Sequence, residues 1–402
     1  MNLYVNKSES CSAKAVAVDD MILTKGLPTT AGSKMLDGYK SLFAAEVVEK
    51  LEAAGYSISG KANVGEFSID MLGESSYFGV CSDENGNAAA AAAELLKAGD
   101  IKAVISYDVN GMPRRAAALS KAVYLKPTYG TVSRFGTIPA ACSGETVGVM
   151  ASAAADCAEI LDVIAGHDDK DGTSLPEEKC AMLKKDAAAK KIAKVAVVKA
   201  LLDGVDADTA ANIENAKALL AANGVEVAEI DGAELLAAGP AWNILMSAEL
   251  CNNVSRYDGV KFGYRSPNHK DIDELYTNSR TEAFGELLKT AILFGSDTLS
   301  TENYKKVYDK ALRVRRVMSE YFEKLFGEYD AVLMPACSKA AYSADELKTN
   351  IYLCYEESKF TAPASITGLP AVAAGGVQLV GAAFSDKGLI EIAEILEKGG
   401  KL

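Results

Sequence analysis

Short apolar runs alternate with helix-forming segments along most of this chain, and that alternation predicts an α/β layered fold. Two observations carry the reading. Ala88–Lys97, a run of alanines closed by Glu94, Leu95, Leu96 and Lys97, is a strong helix former and leads directly into Lys102–Tyr107, KAVISY, a buried strand. Farther on, Val195–Ala200 reads as a strand, Asn212–Ala222 as a helix and Val225–Ile230 as a strand again, with another buried strand at Ala331–Met334.

The remaining elements follow from the same periodicities. Ala15–Val18 is a short apolar run ending in Asp19 and Asp20. Beyond a loop, Lys34–Ala54 shows helical spacing in Leu36, Phe43, Val47, Val48 and Leu51 before Gly55. Glu302–Phe326 places Val307, Leu312, Val314, Met318, Phe322 and Leu325 on a charged background, as a long surface helix with a core-facing stripe would. There is no internal repeat and no linker rich in Pro, Gly or Ser, so residues 1–402 are expected to form one domain.

Composition narrows the function. The 402 residues are 49% hydrophobic and 24% charged, as in a globular protein of enzyme size. A formal charge of -13 argues against a broad phosphate-binding face, so direct nucleic-acid binding is not expected. The sequence has no apolar run of about 18 residues, and MNLYVNKSES lacks the pattern of a signal peptide; a cytoplasmic location without membrane contact is expected. The eight cysteines include no CxxC pair, so neither a metal site nor a redox couple is expected, nor any cofactor. Only His167 and His269 are available as imidazole bases, so any catalyst here must be built differently.

Five ordered segments carry a family resemblance: LTKGLPTTAGSK (23–34) with Gly60-Lys61-Ala62-Asn63 and Glu66-Phe67, LKPTYGTVSRFG (125–136), IAGHDDKDGTS (164–174), NVSRYDGVKFGYR (253–265) and TGLPAV (367–372). Together they resemble the amidase-signature hydrolases, and among these the glutamine-hydrolysing A subunits of tRNA-dependent amidotransferases. The resemblance implies a central mixed β-sheet flanked by helices on both faces. It also implies hydrolysis of an amide by an activated serine, a bridging serine and a lysine, with ammonia passed to a partner that amidates misacylated tRNA.

The same resemblance places unsuitable residues at all three catalytic positions. The lysine position falls on Asp19, which puts a carboxylate where an amine would serve as base. The bridging serine falls on Ala88, in ENGNAAAAAA, after a short deletion, and alanine cannot pass a proton. The nucleophile falls on Met112 in Asp108-Val109-Asn110-Gly111-Met112-Pro113-Arg114, and a thioether cannot attack a carbonyl. Asp108, Gly111 and Arg114 match the loop, and a buried ion pair shaping its path is expected. Asn110 and Pro113 compromise the backbone N–H groups of an oxyanion hole. An acidic residue that would hold a substrate ammonium is replaced by Ser358, beyond Cys354-Tyr355.

A non-hydrolytic protein that binds a partner or a small ligand is therefore expected. One alternative is an active amidase whose nucleophile has moved to Cys142 in AACSGE; another is a divergent amidotransferase A subunit whose glutaminase function lies elsewhere. Against the family the chain looks short before Ala15 and within Ala371–Gly381. The partners expected are the B and C subunits of the amidotransferase or another protein covering that surface, and the ligand expected is a small amide or amino acid.

Overall fold

The computed structural model describes residues 2–9, 14–80, 90–350 and 352–398. Its strands are β1 (Tyr4–Lys7), β2 (Ala15–Asp19), β3 (Ser57–Ala62), β4 (Ala103–Asp108), β5 (Val123–Lys126), β6 (Thr146–Ala151), β7 (Lys194–Val198), β8 (Glu226–Ile230), β9 (Ala331–Met334), β10 (Ala371–Ala374) and β11 (Val377–Gly381). They form one 11-stranded sheet in the order β1-β3-β2-β4-β6-β5-β10-β11-β9-β7-β8. β3, β2 and β4 run parallel, as do β9, β7 and β8, while every pairing from β4 through β6, β5, β10 and β11 to β9 is antiparallel.

The mixed sheet is buried because helices cover it. Every residue of β2, β4, β5, β6, β9, β10 and β11 is buried, which is why these strands are continuous apolar runs rather than alternating ones. Helices α1 (Glu46–Ala53), α2 (Ala90–Lys97), α3 (Met112–Ala118) and α4 (Ala154–Ile164) belong to the first half. α3 packs against β4, β5 and β10, and α4 packs against β5, β6 and the helix Asp386–Leu396. In the second half Ala238–Val254 packs on Glu286–Thr298 and Asp309–Leu325, with Trp242 fully buried.

Two expected helices differ in extent. Lys34–Ala54 is not one helix: a 3-10 turn at Lys34–Leu36 is followed by Gly38 in the left-handed region, φ 75°, and the α-helix begins only at Glu46. Glycine at positive φ breaks helical propagation, and Phe43, a member of the apolar spacing, instead stacks on Phe135 with ring centroids 5.4 Å apart. The stripe in Glu302–Phe326 does bury Met318 and Phe322, but the α-helix spans Asp309–Leu325 and is preceded by one π turn, Tyr304–Tyr308.

Candidate active site

Parallel strands deliver their carboxyl ends to the same edge of a sheet, where an α/β fold places its ligands. Here β2, β3 and β4 bring Asp19, Asp20, Lys61 and Asp108 to that edge. All four are at most 2% exposed.

Asp19 accepts a hydrogen bond from the Tyr107 backbone N–H at 2.8 Å, which ties it to the strand leading into the Met112 loop. Burial pushes its carboxyl up to about 7, against the pull of that N–H and of the Lys61 ammonium. Among the described residues the one hydroxyl hydrogen-bonded to it is Ser106 Oγ, at 3.5 Å and itself 1% exposed. Asp20 accepts from the Thr30 N–H at 3.1 Å, the Thr30 hydroxyl and the Gly32 N–H at 3.4 Å, and burial raises it to about 6. These bonds hold Ala31 at φ 54° and Gly32 at φ 64°, a cost that the buried carboxylate offsets.

Lys61 joins them, a residue whose place in the site the GKAN segment alone does not disclose. Its ammonium donates to the Ile22 carbonyl and to Thr24 Oγ1 at 3.3 Å, and burial pulls its amine down to about 8. Asp19, Asp20 and Lys61 thus form one buried cluster with an excess of negative charge. A lysine at position 19 would reverse that sign.

The loop after β4 has the expected frame. Arg114 grips Asp108 with two bonds, Nε to Oδ2 at 2.8 Å and Nη2 to Oδ1 at 3.0 Å, both side chains 0% exposed. It also donates to the Thr361 carbonyl at 2.6 Å and to Ser365 Oγ at 2.7 Å. Thr361 and Ser365 lie one helical turn apart, a spacing that puts both on one face, although no motif singles them out. The neighbouring Arg115 donates to Glu357 at 3.2 Å and to the carbonyls of Lys339 and Ala340 at 3.0 Å each.

Gly111 caps α3 at φ 93°, and a Cβ there would sit 2.2 Å from Thr361 Cβ. Gly111→Ala is therefore expected to destabilise the protein by about 2 kcal/mol in a urea melt, from left-handed strain and overpacking combined; a loss below about 0.5 kcal/mol would mean the loop shifts freely. Met112 is the first residue of α3 and 1% exposed, and Pro113 removes a backbone donor next to it. Asn110 is fully buried, with its side-chain amide on the Ile69 carbonyl at 3.2 Å and its own carbonyl accepting from Thr361 Oγ1 at 2.7 Å. Ser358 Oγ meets Asn243 Oδ1 at 3.1 Å and the Tyr355 carbonyl at 2.7 Å. Ala88 lies outside the described residues.

Cys142 is half-buried in a different setting. Its thiol accepts from Asn253 Nδ2 at 3.5 Å and its carbonyl from the Tyr129 hydroxyl at 2.7 Å; none of its hydrogen bonds reaches Asp19, Asp108 or Met112. Burial and the Glu145 carboxylate raise the thiol above its ordinary value, opposite to the shift that activates a cysteine.

A family profile described as "Amidase" matches residues 15–390. This chain belongs to the amidase family. Within the amidases it is 37% identical, over 401 residues, to the A subunit of the glutamyl-tRNA(Gln) amidotransferase of Acinetobacter baumannii, covering 94% of this chain and 80% of that one. The same subunit of Latilactobacillus sakei is 35% identical over 95% of this chain and 82% of its own length. The crystal structure of its Thermotoga maritima counterpart superposes with a TM-score of 0.79 at 26% identity, covering 99% of this chain and 87% of that one. The amidase fold extends further, to 6-aminohexanoate cyclic dimer hydrolase at a TM-score of 0.80 and 18% identity. Among the described residues no helix is long and apolar enough to cross a membrane.

Proposed function

We propose that this amidase-family chain does not hydrolyse amides and acts by binding a ligand or partner in the manner of an amidotransferase A subunit relieved of its glutaminase step. The observation that carries the reading is Met112: the loop is held by the Asp108–Arg114 pair, yet its first helical position presents a buried thioether. Covalent amide hydrolysis requires an activated nucleophile and a base to deprotonate it. Asp19 supports the same reading, since it is hydrogen-bonded to the β4 backbone and, among the described residues, bonds to no hydroxyl but that of buried Ser106.

The test is glutaminase and general amidase turnover by the purified protein beside a variant carrying Met112→Ser, Ala88→Ser and Asp19→Lys. A silent wild type is expected, and a gain in the variant would show that the frame still accepts the missing groups. Wild-type turnover abolished by Cys142→Ala would replace the proposal with a relocated nucleophile. Co-purification with the B and C subunits of the amidotransferase would assign the binding role to the tRNA-dependent pathway; purification without them would assign it elsewhere.

A further inference from the structure

Beyond the end of β2 the chain forms an open cavity of about 1050 Å³. One side is built where segments 21–23 and 136–138 pair: the Ile138 N–H donates to the Met21 carbonyl at 2.8 Å and the Leu23 N–H to the Gly136 carbonyl at 2.8 Å. The cavity therefore lies directly downstream of Asp19 and Asp20. Its other walls are the loops 34–39 and 256–264. These loops are joined by the Tyr264 N–H on the Met35 carbonyl at 2.7 Å, and by Gly263, where a Cβ would meet Met35 Sδ at 2.4 Å. The walls are thus built by close backbone approach.

The lining is unlike the rest of this chain. The molecule carries a net charge of -13, yet the cavity presents the cations Lys34, Arg256 and Lys261 against the single carboxylate of Asp37. Among the described residues none of the three cations makes an ion pair. Between them stand aromatic rings. Phe262 is 57% exposed and Tyr39 is 43% exposed, whereas Tyr257 is buried, its ring packed on Phe67 at 5.7 Å. Lys34 Nζ lies 4.3 Å from the centre of the Tyr264 ring, so cation and ring already share one wall. Lys34 lies close to the Glu282 carboxylate, but among the described residues Arg256 and Lys261 are exposed and make no ion pair, and the open Phe262 and Tyr39 rings beside them are not explained by core packing. They match a ligand that supplies a flat face and a negative charge.

We infer that this cavity binds a small aromatic anion, with its ring against the exposed Phe262 face and its charged group toward Arg256 and Lys261. The inference rests on the binding role proposed above and names the chemistry of the ligand. A neutral amide of the same shape would leave the cations uncompensated, so the site distinguishes an acid from its amide.

The experiment is isothermal titration of the intact protein with indole-3-acetate, its neutral counterpart indole-3-acetamide, and phenyl phosphate. The acid is expected to bind about tenfold more tightly than the amide. Arg256→Gln and Lys261→Glu, both at exposed positions, are each expected to weaken the acid by about tenfold, Lys261→Glu while leaving the melting temperature unchanged. Phe262→Ala is expected to weaken acid and amide alike. Phenyl phosphate decides the source of the charge: binding equal to the acid means that any aromatic anion is accepted, and binding of the phosphate alone makes the ligand an aryl phosphate. Acid and amide both binding with equal affinity, or no binding by any of the three, overturns the inference. Amide turnover by the wild type, measured in the same samples, would instead overturn the non-hydrolytic reading and leave the acid site standing.

Discussion

Arg114→Met is expected to cost about 3–5 kcal/mol of folding stability, because it leaves Asp108 charged and without its partner in a dry interior. The guanidinium is 0% exposed and makes four hydrogen bonds, two to Asp108 and one each to the Thr361 carbonyl and Ser365 Oγ. Methionine fills most of the volume but satisfies none of these. The paired substitution Arg114→Met with Asp108→Asn removes the orphaned charge along with its partner and is expected to recover a good part of the loss. Urea unfolding of the two single variants and the double variant closes the cycle. A single-variant cost below about 1.5 kcal/mol would mean that another cation takes over. The candidate is Lys126, buried nearby, with Asp108 the largest influence holding up an amine that burial drags down to about 7.

Glu66→Gln is expected to flatten the dependence of stability on pH. The Glu66 carboxylate is 2% exposed, accepts from Ser33 Oγ at 2.5 Å and from the Gly285 N–H at 2.9 Å, and so pins the start of the Glu286–Thr298 helix. Burial raises its carboxyl from 4.5 to about 7, more than these bonds lower it. A carboxyl whose folded value is raised adds stability that is fully present below its unfolded value and is lost as pH climbs through the folded one. From Glu66 alone, stability should fall by about 3 kcal/mol between pH 4.5 and 8. Asp19 and Asp20 push in the same direction, with folded values of about 7 and 6. Lys61, lowered to about 8, acts in the next window: its contribution is lost as pH falls from the ordinary lysine range toward 8. Glutamine can keep both contacts, its carbonyl accepting from Gly285 and its amide donating to Ser33, without the titration. Denaturant midpoints at pH 5 and pH 8 should therefore differ less in the variant than in wild type. Equal differences would show that Glu66 stays ionised throughout.

The sequence made the strands legible wherever apolar runs were short and bounded, as at Ala15–Asp19 and Ala331–Met334, because both faces of those strands are buried. It misleads at Lys34–Ala54, where helical spacing in the side chains coexists with Gly38 at a backbone angle no helix tolerates. In the candidate site, Asp19, Met112 and the Asp108–Arg114 pair could be found because they stand inside recognisable segments. Lys61 could not, since its role comes from reaching across β2 to the Ile22 carbonyl. Thr361, Ser365 and Glu357 were hidden for a related reason: they meet Arg114 and Arg115 across more than 240 residues of chain. The cavity beyond β2 was not legible either: segments 23–34 and 253–265 stand out in the sequence, but nothing in it shows that they meet around one opening.

The position of β10 and β11 governs how this protein can be made. They sit between β5 and β9 and, among the described residues, are the only strands joining the sheet's first six strands to its last three. They are also encoded after both. Until residues 371–381 leave the ribosome, any structure formed by the earlier strands ends in two unpaired edges, β5 and β9, whose residues are fully buried only in the finished fold. Such edges are templates for pairing with another chain. Synthesis thus creates an interval of aggregation risk that ends only when the Gly375-Gly376 turn folds the last hairpin into the gap. A stop codon placed just before Ala371 should yield inclusion bodies rather than a shortened soluble protein.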